Sequence, residues 1–84
     1  MVLELNENIT VGAVFSHGEV RPAWFLWRGR KYAVGEVTYT WESREGEARL
    51  RHFSVSSGAN IYTLTYNGLA CSWDMKGVEQ DWRG

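Results

Sequence analysis

Tyr62-Thr63-Leu64-Thr65-Tyr66-Asn67-Gly68-Leu69-Ala70-Cys71-Ser72-Trp73-Asp74-Met75 carries two alternating runs around an Asn-Gly pair. Asn-Gly is a strong hairpin signal, because both residues tolerate the positive φ that a two-residue type I′ turn requires. Such a turn sets Tyr66 opposite Leu69, Leu64 opposite Cys71 and Tyr62 opposite Trp73, making one face wholly apolar. The other face pairs Thr65 with Ala70 and Thr63 with Ser72. A hairpin apolar on one side and polar on the other belongs in a half-buried antiparallel sheet.

Upstream, Ser56-Ser57-Gly58-Ala59 reads as the loop into this hairpin. Glu45-Gly46 reads as an earlier turn, which sets Trp41 opposite Leu50, Glu42 against Arg49 and Arg44 against Glu47, opposite charges across strands. From Lys31 the apolar residues are Tyr32 and Val34, then Val37, Tyr39 and Trp41. The period of two slips at Gly35-Glu36, the signature of a β-bulge beside a glycine. A second slip near Arg51-His52 returns Phe53 and Val55 to the apolar face.

Gly29-Arg30 is expected to form a type II′ turn after a strand from about Arg21 to Arg28, with Pro22 at its start or on a sheet edge. Trp27 then faces Tyr32 and Phe25 faces Val34. Trp24 opposite Gly35 and Leu26 opposite Ala33 form a second apolar face. A first strand runs through Ile9, Val11, Ala13 and Phe15 to a turn at Ser16-His17-Gly18. No stretch keeps apolar residues at helical spacing over three turns. The expected fold is all-β: a small antiparallel meander of about six strands in up-and-down order, with β-bulges, curled into a barrel or half-barrel. Residues after Met75 are expected to form a short return segment or a tail.

The chain has 84 residues, 44% hydrophobic and 23% charged, with one proline, which fits a single small β domain spanning residues 1–84. Met1 to Asn8 lacks the basic start and apolar centre of a signal peptide, so a cytoplasmic location without membrane association is expected. The lone Cys71 excludes an internal disulfide. On the apolar hairpin face it reads as a small core hydrophobe rather than a reactive thiol. Seven of nine basic residues are arginine, yet net charge is −1, so any nucleic-acid binding must be local.

Trp27, Trp41 and Trp73 fall on the main apolar face and read as core. Trp24 lies on the second face, where it either covers the bare backbone of a glycine or marks an interaction surface with Leu26, Ala33 and Val14. Trp82 stands near the C-terminus, where its packing is open.

Arg28, Arg30 and Lys31 crowd one turn beside Trp27, with Arg21 and Trp24 near in sequence. Guanidinium groups beside aromatic rings on a curved sheet can bind single-stranded nucleic acid by stacking and backbone charge together. The competing reading is a solvated hairpin tip, protected against edge pairing and salt-bridged to Glu19 or Glu36. His17, His52 and one cysteine give no metal spacing, and no cofactor is implied. His52 has no nucleophile or orienting carboxylate to work with and reads as a surface residue at the second bulge. Phosphate-loop, dinucleotide and nucleophile-elbow motifs are missing, so an enzyme is not expected.

Trp27-Arg28-Gly29-Arg30-Lys31-Tyr32-Ala33-Val34, with Val37, Trp41, Phe53-Ser54-Val55, Gly58, Tyr62, Leu64, Trp73 and Val78, resembles a group of uncharacterised small bacterial proteins. Some relatives of that group accompany translesion DNA polymerase proteins. The resemblance covers roughly residues 20 to 80 and implies the fold; a link to DNA repair would rest on Arg28, Arg30 and Trp27. Two functions follow. The first is a module that binds itself or a protein partner through Trp24, Leu26 and Ala33 or through a sheet edge. The alternative is weak single-stranded nucleic-acid binding through Arg28, Arg30, Lys31 and Trp27.

Overall fold

The computed structural model describes residues 2–80. They form seven strands: β1 (Val2–Ser16), β2 (Glu19–Trp27), β3 (Arg30–Ala33), β4 (Glu36–Glu45), β5 (Ala48–Ser57), β6 (Asn60–Asn67) and β7 (Ser72–Gln80). All lie in one antiparallel sheet, ordered β3-β2-β1-β7-β6-β5-β4. Among the described residues no helix is long and apolar enough to cross a membrane.

The strand expected from Lys31 to Trp41 splits in two, giving seven strands instead of six. Val34 donates its N–H to Ala23 of β2, whereas Gly35 donates to Ser56 of β5, so hydrogen-bonding partners change between adjacent residues. Both hairpin neighbours of this crossing are thereby at opposite ends of the sheet. Strand β1 begins at Val2, well before the expected Ile9, and pairs with β7. The order is therefore a meander joined through its first and last strands and open between β3 and β4. The sheet is not closed into a barrel.

It is nonetheless strongly curled. Four ladder steps separate β3 from β6, which at about 4.8 Å each would place them about 19 Å apart in a flat sheet. The rings of Tyr32 and Tyr62 are 5.5 Å apart instead. Phe25 stacks on Tyr32 at 5.1 Å and meets Tyr62 edge-on at 5.0 Å, geometries that aromatic quadrupoles favour. Phe25, Val55, Leu64 and Met75 are fully buried inside the curl, with Val20, Phe53, Tyr62 and Trp73 beside them.

Turn chemistry differs from expectation in three places. At Asn67 the side-chain Oδ1 accepts the N–H groups of Leu69 and Ala70, at 2.9 and 3.0 Å. This Asx turn competes with the type I′ turn and lengthens the loop, so Leu64 faces Met75 instead of Cys71, and Tyr66 faces Trp73. The displacement is four residues at Tyr66 and Leu64, which changes partners but not faces; a bulge at Lys76, between Met75 and Gly77, then sets Tyr62 opposite Val78 with both still on the core side. Cys71 is not on that side: it lies in the loop, exposed, with φ +54°, and is no core residue.

The turn after β2 is Arg28-Gly29, with φ +52° and +79°, as a type I′ turn demands. Phe25 therefore pairs with Tyr32, and Trp24 with Ala33. The turn after β4 is Gly46-Glu47, with the positive φ on Gly46. Glu42 thus meets Arg51, at 3.0 Å, while Arg44 faces Arg49 rather than Glu47.

The first bulge is real but sits between Val37 and Tyr39, and the expected bulge at Arg51-His52 does not form. The change of partner at Gly35 keeps Val37 on the core, and the bulge at Thr38 adds a second slip; because a strand alternates faces, that extra slip turns Tyr39 and Trp41 outward. Trp41 is exposed, on the face opposite the core, and is not a core residue. Trp82 lies outside the described residues.

Candidate functional site

Trp24, Leu26 and Ala33 share the outer face of β2 and β3, because the β2–β3 ladder pairs Trp24 with Ala33 and runs without a bulge through Leu26. Val14 of β1 extends the patch. Leu26 and Val14 are 41% and 53% exposed, and Ala33 is exposed as well. Trp24 is half-buried because it lies flat on Gly12, its cross-strand neighbour; a Cβ there would fall within the indole. The glycine covered is thus Gly12, not Gly35. The Lys31 ammonium stands 4.8 Å from the Trp24 ring centre, leaving a cation on the edge of the patch.

The turn cluster is only partly available. Glu7 of β1 accepts from Trp27 Nε1 at 2.9 Å and from the Arg28 guanidinium at 2.8 Å. Arg28 also lies 4.7 Å over the Trp27 ring. Its ionic partner is therefore Glu7, rather than Glu19 or Glu36. The hydrogen bonds from Arg28 and then Trp27 hold the Glu7 carboxyl below the usual glutamate range, outweighing the opposing effect of burial. Arg30 and Lys31 remain exposed at the tip, next to this assembled pair.

A third group escaped the sequence. His52 lies in mid-strand, half-buried, with Trp41 stacked on it at 5.0 Å and an interplanar angle of 11°. Its Nε2 is 2.7 Å from Ser43 Oγ and its Nδ1 is 2.9 Å from Thr65 Oγ1, a hydroxyl that is itself buried. Burial, then the nearby Lys76 charge, push the imidazole pKa below the ordinary histidine range. Ser43 is diagonal to His52 only in the register that the Gly46-Glu47 turn imposes, so a turn placed one residue earlier hides the pair. Tyr39 stacks beside Trp41 at 5.4 Å, which continues an aromatic row along the outer side of the β4 edge. Among the described residues no group of three His, Cys, Asp or Glu side chains is arranged to hold a metal ion.

No curated protein and no solved structure matches the chain. A family model described as a domain of unknown function (DUF6504) matches residues 2–83, and the chain belongs to that family.

Proposed function

We propose that this protein is a non-catalytic interaction module that docks a second copy of itself, or another protein, through the outer face of β2 and β3. The observation that carries the reading is the continuous apolar strip of Val14, Trp24, Leu26 and Ala33 on a face that contributes nothing to the core. Apolar patches on small proteins often mark interfaces. Lys31 at its margin would set orientation, since charges at an interface rim contribute more to specificity than to affinity. The short β3 edge beside it offers backbone groups to the same partner.

Light scattering across a concentration series tests self-association directly. The wild type should form a dimer that Leu26→Asp dissociates, with both proteins folded. A wild type that stays monomeric throughout refutes the self-docking form.

Weak single-stranded nucleic-acid binding at the β2–β3 turn is a second reading, supported by exposed Arg30 and Lys31 beside the Arg28–Trp27 stack. It ranks lower because Glu7 already neutralises Arg28. Oligonucleotide affinity that falls steeply with salt and drops on Arg30→Ala/Lys31→Ala would support it.

A further inference from the structure

The curl leaves a cleft of about 450 Å³ at one end of the inner face, between the β1–β2 turn and strands β5 and β6. That volume falls within the range of small-ligand sites. One wall is aromatic: Phe15 meets Tyr66 edge-on at 5.8 Å, and Tyr66 in turn packs on Trp73 at 5.0 Å. Phe15 is 61% exposed, an unusual position for a phenylalanine at the mouth of a core.

The wall beside it is basic, since Arg51 stands directly across the β5–β6 ladder from Tyr66. Strand β5 alternates without a bulge, so Arg49 and Arg51 point to the side of Phe53 and Val55. Both line the cleft, and Arg44 stands directly across the ladder from Arg49. Like charges in that position are destabilising, and only Arg51 has a carboxylate, that of Glu42, among the described residues. Glu19 lies on the far rim, which confines an anion to the β5 side.

We propose that this cleft binds a nucleoside phosphate, with the phosphate held by the Arg49 and Arg51 guanidinium groups and the base laid against Phe15 and Tyr66. Arginine supplies the planar fork that matches phosphate oxygens, and an aromatic wall accepts any base by its face. The anion also relieves the Arg44–Arg49 opposition. The ligand is either a free nucleotide or the phosphorylated end of a single strand, which share this chemistry. The site is separate from the β2–β3 face and from the Arg28 turn, and does not depend on either.

Calorimetric titration at low ionic strength with AMP, adenosine, inorganic phosphate and a 5′-phosphorylated oligodeoxyadenylate tests it. AMP should bind more tightly than adenosine or phosphate. Arg49→Ala should weaken it about tenfold, the loss expected of one charge-assisted contact, with Arg49→Lys between. Phe15→Ala should reduce AMP binding but leave that of phosphate unchanged. Arg30→Ala/Lys31→Ala, at the other turn, should have no effect. Tighter binding of the oligonucleotide than of AMP assigns the ligand to a strand end, and equal binding assigns it to a free nucleotide. Failure of both to bind the wild type, or binding indifferent to Arg49→Ala in a folded protein, overturns the proposal.

Discussion

Gly12 should be among the least replaceable exposed-strand positions in the protein, and the reason is one indole. Trp24 lies where the Cβ of any other residue at position 12 would stand, so Gly12→Ala forces the ring off the sheet. Returning about 150 Å² of apolar surface to water costs about 4 kcal/mol at about 25 cal/mol per Å². Alanine recovers about 0.5–1 kcal/mol by restricting the unfolded chain, which leaves a net loss of about 3 kcal/mol. For a domain of this size that lowers the melting temperature by about 12–24 °C. Calorimetry or circular dichroism of four proteins measures it: wild type, Gly12→Ala, Trp24→Ser and the double variant. With the indole gone, Gly12→Ala should cost nothing or stabilise slightly, because alanine is the better strand residue. Should Gly12→Ala melt within a few degrees of the wild type, or its cost persist in the Trp24→Ser background, the account of Trp24 as a cover for bare backbone is wrong.

Three further outcomes follow from the same structure. Arg44→Glu, which places a carboxylate opposite Arg49, should raise the denaturant midpoint by the equivalent of about 0.2–1 kcal/mol, the range for cross-strand charge pairs. For His52, whose pKa in the folded state is lowered, protons bind the unfolded chain more readily; stability is complete above the ordinary histidine range near about 6.5 and is lost as pH falls through the folded value. Thermal melts on acidification should show this decline in the wild type and a flatter curve in His52→Gln. Glu7 has the opposite charge type but the same direction: its lowered carboxyl pKa contributes stability above the ordinary glutamate range, and that contribution disappears as acid protonates the group. Melting curves of wild type and Glu7→Gln should therefore differ at neutral pH and converge in strong acid.

The alternation of Tyr62, Leu64, Trp73, Phe25 and Tyr32 was enough to assign their side of the sheet, even though the turns beside them were misplaced. A two-residue strand period explains this: the Asx turn at Asn67 and the type I′ turn at Arg28-Gly29 moved the adjoining pairs by four and two residues, which changes partners but not faces, and the odd step at Tyr62 is absorbed by a bulge in β7. The same arithmetic grouped Trp24, Leu26 and Ala33 on one second face, and the tertiary structure decided that this face is the outer one. Trp41, Tyr39 and His52 obeyed a different rule. Their faces depend on where the slips fall, and local sequence pointed to Gly35-Glu36 and Arg51-His52 while giving no sign of the one at Thr38.

Tertiary structure decided that question, because β4 must leave Val37 on the core while its later residues follow the straight ladder of β5. It also decided everything that depends on curvature. The meeting of Tyr32 with Tyr62, the hold of Glu7 on Arg28, and the cleft between Phe15 and Arg49 join residues far apart in sequence. Alternation along a strand is a local consequence of backbone geometry and can be read from the chain. The closeness of strands four ladders apart is set by accumulated twist and by packing of the whole core, which no single segment encodes.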